Sequence, residues 1–400
     1  MAGPLDGFKI IDLTSNITGP LATMTLADQG ANVIKVEMPG LGDHVRATST
    51  SINGFSAAFL NNNRNKRSIA IDLKTDRGLA ALYRVVSGAD VFIQNFRPGV
   101  AERLRISEVE IRKIVTDIVY VSISGFGQKG PYAQKPAYDP VIQALCGIAT
   151  VQAGSDEARP RLIRTILPDK LTAITAAQAI LAALLSRSRT HEGQHVRLSM
   201  LDTLISFLWS SDMNRHTFVS ESDRGEKPAS KIDLIYTTKD GYMTVAVNTN
   251  REWIGLARAL GHPEWLEDKR FSTPKLRAQN IDIRLELIQE VLARRSTGHW
   301  MERLNKESVP CSPVLTRQEM LGNEQVQANS IIVEYAHEKA GPIRQARAAA
   351  QFSLTPTPNP VGAPGLGQHS KEPITITSPT SARFTRQCSL PTYRPRVQPP

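Results

Sequence analysis

Three places in this chain hold residues whose types and spacing could do chemistry. Gly125-Phe126-Gly127-Gln128-Lys129-Gly130 carries the glycine spacing of a dinucleotide fingerprint, which works by aiming the amides at a helix start toward a pyrophosphate. Pro131 and Pro136 interrupt the residues that would have to form that helix, and no acidic residue stands about twenty positions on at the end of a second strand, so a dinucleotide reading is disfavoured. His191-Glu192-Gly193-Gln194-His195 spells a zinc-protease motif, whose chemistry needs both histidines on one helical face. Gly193 sits inside it, and the segment joins the end of a helix to a strand beginning near Val196, which reads as a turn. No bound metal is expected. Asp169 follows Pro168 and opens an Ala-rich helix. An aspartate there caps the helix by accepting a backbone amide, or is a carboxylate held at a fixed place as a nucleophile must be. Pattern alone favours the cap, because caps are common. No serine or cysteine has a nucleophile-elbow setting, since Gly-x-Ser-x-Gly is absent.

The elements that must position these residues alternate through the first third of the chain. Phe8 to Leu13 reads as a strand, Gly19-Pro20 sets up a helix from Leu21 that Gly30 ends, and Asn32 to Glu37 is the next strand. Arg67 to Leu73, a helix over Asp76 to Ser87, Asp90 to Ile93, a helix around Glu108 to Ile114, and Ile118 to Ser122 repeat the pattern. Such alternation predicts parallel strands with crossover helices, an α/β fold. Ligands of open parallel sheets bind beyond the carboxyl ends of the strands, here the loops at Thr14 to Gly19, Gln94 to Gly99 and Ser124 to Pro131. A buried helix over Asp169 to Ser188, a strand at Val196 to Ser199 and a helix from Leu201 to Trp209 follow.

The polar segment Ser220 to Lys231 reads as a linker. Beyond it, Leu234-Ile235-Tyr236 and Tyr242 to Val245 flank Lys239-Asp240-Gly241 as a hairpin, with amphipathic helices around Trp253 to Leu260 and Ile281 to Arg294. The expected organisation is a large domain over 1–220, a small α+β domain over 221–325, a return segment over 326–370 and a tail over 371–400. Ten of the 25 prolines fall between Pro356 and Pro400, and the last thirty residues carry no helical or strand periodicity, so the tail is expected to be disordered.

Composition narrows the class. Hydrophobic residues at 41% and charged residues at 22% are those of a globular chain, and 400 residues exceed what one core usually serves. A net charge of +10 suits an anionic partner. The cations are scattered, without a basic run interleaved with aromatics, which argues against nucleic acid. Cys146, Cys311 and Cys388 form no C-x-x-C pair, so a reducing compartment is expected. The N-terminus shows no charged region followed by an apolar run, and the most apolar stretch, Ala173 to Leu185, is too short to span a bilayer. A cytoplasmic location without membrane attachment is the expectation.

Read together, the segments resemble the class III CoA-transferase family, the formyl-CoA transferase and carnitine CoA-transferase group. The resemblance covers most of residues 4 to 370. It rests on Pro4-Leu5-Asp6-Gly7 with Asp12-Leu13-Thr14, Gly19-Pro20 with Leu26-Ala27-Asp28, Gly30 to Glu37, Asn63 to Ser68, Asp72-Leu73-Lys74, Asn95 to Gly99, Ser122 to Gln128 with Gly130-Pro131, Tyr138-Asp139 and Gly193-Gln194. It implies a Rossmann-like large domain and a smaller one, in a homodimer whose chains interlock. It also implies transfer of coenzyme A from an acyl-CoA thioester to a small free carboxylic acid, with no prosthetic group. Asp169 aligns with the family's catalytic aspartate, which overturns a capping-only role. Positions matching coenzyme-A contacts are Ile71, Lys74, Asn95, Phe96, Arg97, Arg103, Lys135 and Tyr138, an apolar adenine slot with cations for phosphates. Backbone amides of Gly125 to Gly130 are expected to stabilise oxyanions.

The chain departs from the pattern in three places. Met38 stands where many members have arginine, the region from Arg224 to Asp233 lacks the glycine-rich lid of formyl-CoA transferase, and the last thirty residues replace the usual final helix. Two rival readings of the same fold are a 2-methylacyl-CoA racemase and a silent acyl-CoA-binding protein. The racemase branch has histidine where this chain has Tyr138, whose phenol, with an ordinary pKa near 10, cannot serve as that base at neutral pH.

Overall fold

The computed structural model describes residues 3–219, 233–357 and 359–372. The linker at Ser220 to Lys231 and the tail from 373 onward lie outside them, as do residues 224–232 of the lid region. The described chain divides into two units. One comprises residues up to 148, 162–211 and the return from 333; the other comprises 149–161 and 212–332. The changeover expected at 220 therefore falls at 211, the second unit runs to 332 and not 325, and 149–161, a segment without a distinctive sequence pattern, belongs with the second unit.

The first unit is built on six parallel strands: β1 (Lys9–Asp12), β2 (Asn32–Glu37), β3 (Lys66–Ala70), β4 (Val91–Gln94), β5 (Val119–Ser124) and β6 (His195–Ser199). Their spatial order is β3-β2-β1-β4-β5-β6, every neighbouring pair parallel, with the order reversing between β1 and β4. That is the strand order of doubly wound nucleotide-binding sheets. Alternation with period two gives each face its own core. Ile10, Val33, Val91, Ile93, Val119 and Val121 face α1 (Thr18–Asp28) and a long helix of small residues, whereas Ile11, Ile34, Phe92 and Tyr120 face the opposite side. Helices α2 (Ala57–Asn63) and α3 (Asp76–Val86) follow in chain order, and Leu79, Leu82, Val85 and Val86 of α3 cover that opposite face. α4 (Asp139–Leu145), α5 (Leu167–Thr190) and α6 (Met200–Trp209) follow, and the helix expected around Glu108 is present as Glu108–Arg112.

α5 is longer than the apolar run that predicts it, and by length and composition it would reach across a bilayer. Its alanines explain its place instead: Ala173, Ala176, Ala177 and Ala183 are buried against α1 and the sheet, where small side chains allow close approach. The return segment forms a two-stranded ribbon, Ile332–His337 with Gly341–Ala346, and pins the edge at β3. Gln345 donates to the Leu60 carbonyl at 2.9 Å, and the amide of His369 donates to the Ser68 carbonyl at 2.9 Å.

In the second unit the predicted hairpin is present as Ile235–Thr237 paired antiparallel with Tyr242–Val245, joined by a third strand, Cys311–Pro313. Helices Asn250–Leu260, Ile281–Leu292 and Thr297–Lys306 pack Trp253, Leu256, Ile288 and Trp300 into one core with Tyr236 and Met243. The first of these helices starts with a capping box between Thr249 and Glu252.

Candidate active site

The loop after β1 is fixed from beneath by buried charge. Asp12 is fully buried and accepts from the Thr14 amide at 2.9 Å, the Thr23 hydroxyl at 2.7 Å and the Lys66 ammonium at 3.1 Å. Burial opposes its ionisation, yet Lys66, Lys35 and the hydroxyls of Thr14 and Thr23 outweigh that and hold the carboxyl well below the usual range. Lys35, also fully buried, donates to the Thr14 carbonyl at 2.7 Å and pairs with Asp43 at 3.0 Å. Asp43 in turn accepts from the Asn16 amide at 3.2 Å. Asn95, at the end of β4, exchanges two bonds with the Ser15 backbone, at 3.0 and 2.9 Å. The chain from Thr14 to Asn16 is thus held on both sides before α1 begins at Thr18.

Asp169 reaches this loop from the start of α5, which packs beside α1 on the same face of the sheet. Gln143 of α4 clamps the approach to α5, accepting from the Ile163 amide at 2.9 Å, donating to the Ile163 carbonyl at 3.1 Å, and donating to Asp139 at 2.6 Å. α5 starts at Leu167, with Pro168 suited to its first turn. Asp169 is the third helical residue, the flanking residue, Ile166, makes no side-chain cap, and the Asp139 carboxylate accepts from the Asp169 amide. Asp169 is therefore not the N-cap of its own helix, the role that pattern alone favours. The Asp169 carboxylate instead accepts a hydrogen bond from the Thr18 hydroxyl, 151 residues away in the chain. Burial raises its pKa, the Thr18 hydroxyl lowers it and the Asp139 charge raises it again, leaving it above the ordinary carboxylate value. Asp139, buried at the start of α4, is raised likewise, by burial first, against Gln143 and the Asp169 amide.

Asp169 lines a cavity of about 380 Å³ at the carboxyl ends of β1, β4 and β5, beside the reversal in strand order. Its walls come from the three loops expected to bind a ligand: Asn16 to Thr18, Asn95 to Pro98, and Ser124 with Gly125. Arg97, Lys135 and Tyr138 also line it, the Lys135 ammonium lying 3.6 Å from the centre of the Tyr132 ring. A second cavity of about 250 Å³ lies between the ends of β1 and β2 and the turn after β3, lined by Ile71, Lys74 and Met38. Phe96 lines both cavities.

Asn95 lines the first cavity with the others, and Arg103, exposed, lies apart from both. Asn95 spends its amide on Ser15, so it ties two loops together. The glycine loop also contributes less than expected. Gly125 lines the first cavity, but the Gly127 amide is already donated to the Ser124 hydroxyl at 3.1 Å, and Gly130 does not reach the cavity. Gly127 and Gly130 have φ of +90° and +86°, a turn and no helix start, consistent with rejecting a dinucleotide there. His191 ends α5 in the left-handed region while His195 opens β6 with Nε2 at 2.9 Å from the Ser122 hydroxyl, so the two histidines share no helical face. Thr18, Asp139 and Gln143 were not legible as site residues. Tyr138-Asp139 and the residue before Gly19-Pro20 mark their places, but only proximity gives them roles.

The family model for CoA-transferase family III matches residues 5–370 of this chain. Succinyl-CoA:glutarate CoA-transferase of Mus musculus is 32% identical over 371 residues, covering 92% of this chain and 85% of that protein. Acetyl-CoA:oxalate CoA-transferase of Acetobacter aceti is 33% identical over 341 residues, covering 83% and 86%. Among solved structures, Rv3272 from Mycobacterium tuberculosis superposes with a TM-score of 0.81 at 28% identity, covering 92% of this chain and 98% of that one.

Proposed function

The chain belongs to CoA-transferase family III, and on that premise we propose that Asp169 carries the covalent steps by which coenzyme A passes from an acyl-CoA thioester to a free carboxylic acid. The single observation behind this is the setting of Asp169: a carboxylate that does not cap its own helix, lining the cavity at the switch point of the sheet. Its carboxylate oxygen attacks the thioester carbonyl, the carbon–sulfur bond breaks, and a mixed anhydride and coenzyme-A thiolate result. The thiolate attacks the aspartyl carbonyl, the donor acid leaves as its carboxylate, and an enzyme thioester remains. An acceptor carboxylate then attacks that thioester to form a new anhydride and release thiolate, and the thiolate takes the acceptor acyl group, restoring Asp169. Each step exchanges one acyl bond for another, so no oxidant, reductant or metal enters the balance.

The coenzyme is assigned to the paired cavities. Ile71 and Phe96 offer apolar surface for the adenine, with Lys74 beside it for phosphate, and Phe96 leads toward Asp169. Arg97 and Lys135 put cations at the first cavity, which suits an acceptor bearing one or two carboxylates, as glutarate and oxalate do in the names of the relatives. Tyr138, exposed at the rim, offers no histidine-like base for racemisation. The unit also exposes Ile205, Phe207 and Trp209 on α6, apolar surface that a second copy of the chain would cover in a homodimer.

The test adds hydroxylamine during turnover with an acyl-CoA donor. The expected product is a hydroxamate on the peptide containing Asp169, with Asp169→Asn and Asp169→Ala both losing transfer while still binding coenzyme A. Adducts on another carboxylate, or full transfer by the asparagine variant, would sink the assignment.

A further inference from the structure

We propose that the Thr18 hydroxyl is the oxyanion donor for the steps in which the Asp169 carbonyl is itself attacked, a catalytic role that rests on Asp169 being the nucleophile. Thr18 is 3% exposed and is the first residue of α1. A threonine there commonly serves its own helix, but the flanking residue of α1, Ile17, gives no side-chain cap, and the Thr18 hydroxyl bonds Asp169 Oδ1 and not its own helix. Its position is rigid for two reasons. Thr14 to Asn16 is held by Asp12, Lys35, Asp43 and Asn95, and a Cβ on Gly19 would lie 2.3 Å from the Thr14 side chain, so the turn into α1 packs directly on that loop.

The chemistry follows from which oxygen is engaged. Oδ1 shares its electron density with the hydroxyl, so Oδ2 is the oxygen that attacks the thioester, and Oδ1 becomes the carbonyl oxygen of the aspartyl anhydride. When thiolate adds to Cγ, the electron pair of that carbonyl moves onto Oδ1, and its collapse breaks the Cγ–Oδ2 bond and expels the donor carboxylate. Attack by the acceptor carboxylate on the enzyme thioester places charge on Oδ1 again, and collapse expels thiolate. A donor already aimed at Oδ1 strengthens as that charge grows and needs no rearrangement. The same hydroxyl favours the ionised resting carboxylate against burial and the Asp139 charge. The charged groups around that carboxylate are Asp139 on α4 and, on the cavity wall, Arg97 and Lys135.

The experiment compares Thr18→Val, which keeps the shape and removes the hydroxyl, with Thr18→Ser, which keeps the hydroxyl. Steady-state transfer is measured across pH with an acyl-CoA donor and an acid from the glutarate and oxalate panel. Thr18→Val is expected to lose about 10²- to 10³-fold in kcat with little change in KM for acyl-CoA. The acidic limb of its kcat/KM profile should move to higher pH, and Thr18→Ser should restore both kcat and the limb. Equal damage from valine and serine would mark a packing role and overturn the proposal, as would a valine variant with the wild-type rate and profile. Hydroxylamine trapping in the wild type separates the premise: no Asp169 hydroxamate overturns the nucleophile and the donor together, whereas a clear Asp169 adduct beside an unaffected valine variant overturns the donor alone.

Discussion

At the residue scale, Asp169 and Asp139 decide how charge is handled in the cavity. Both carboxyls are held above their ordinary values, chiefly by burial, so the folded protein binds their protons more tightly than the unfolded chain does. The sign follows directly. Folding is penalised at pH values above the folded pKa, and the penalty vanishes below the unfolded value near 4. Because asparagine keeps an oxygen that accepts from Thr18 and sheds the buried charge, Asp169→Asn should raise the thermal midpoint at pH 7, and the gain should shrink to nothing as the pH falls below 4. Calorimetry at the two pH values checks this, and a loss at pH 7 would mean that the carboxylate stabilises the fold after all. Asp139→Asn removes the charge that pushes Asp169 up, so the acidic limb of kcat/KM should move to lower pH, opposite to the shift expected of Thr18→Val. A pH series on the purified variant reads it directly.

At the scale of elements, the loop after β1 and the loop after β5 are positioned by different physics. The first hangs on buried ion pairs. Asp12→Asn strands the buried Lys66 ammonium with, among the described residues, the Pro20 carbonyl and the Asn63 amide oxygen as neutral hydrogen-bond partners. Breaking such a pair from one side costs about 3–5 kcal/mol, a loss that urea unfolding would register as a lower midpoint at unchanged slope. Asp12 is held low, so its contribution is present at neutral pH and is lost as the pH falls below the ordinary carboxylate value toward its own. The second loop depends on a close approach. A Cβ on Gly125 would lie 2.2 Å from the Ala137 Cβ, so Gly125→Ala must push apart two walls of the cavity. The expected cost is about 1–3 kcal/mol of stability together with reduced transfer; unchanged activity would show that the wall adjusts freely.

At the scale of the whole molecule, two questions turn on surfaces. A panel of acyl-CoA donors and mono- and dicarboxylic acids, followed by mass spectrometry for the new acyl-CoA, should find a dicarboxylate acceptor, in keeping with Arg97 and Lys135 on the cavity wall. Light scattering should give twice the 44.0 kDa chain mass, and Phe207→Glu with Trp209→Glu should lower it toward one chain, since both side chains are nearly half exposed on α6. A single-chain mass for the wild type would remove the proposed dimer.

Much of this was written in local pattern. Alternating apolar strands and helices signalled a parallel sheet because period two and the turn chemistry of Gly19-Pro20 and Gly30 are properties of neighbouring residues. The same local logic dismissed two motifs, since Pro131 and Gly193 break the geometry each would need. It also pointed to three loops that do wall the cavity, because ligand sites in such sheets follow from topology. What pattern could not supply is every relation that depends on residues far apart meeting. Asp169 looked like a cap because a helix start predicts one; its actual partner, Thr18, lies 151 positions away. The glycine loop looked rich in free amides, but whether the Gly127 amide is free depends on Ser124 turning toward it. Charge values behave the same way. Burial raises the pKa of both Asp12 and Asp169, but Lys66 and Lys35 outweigh it at the first and hold that carboxyl low, whereas Asp139 adds to it at the second. Composition counts charges, and only the folded chain decides which of them face each other out of water.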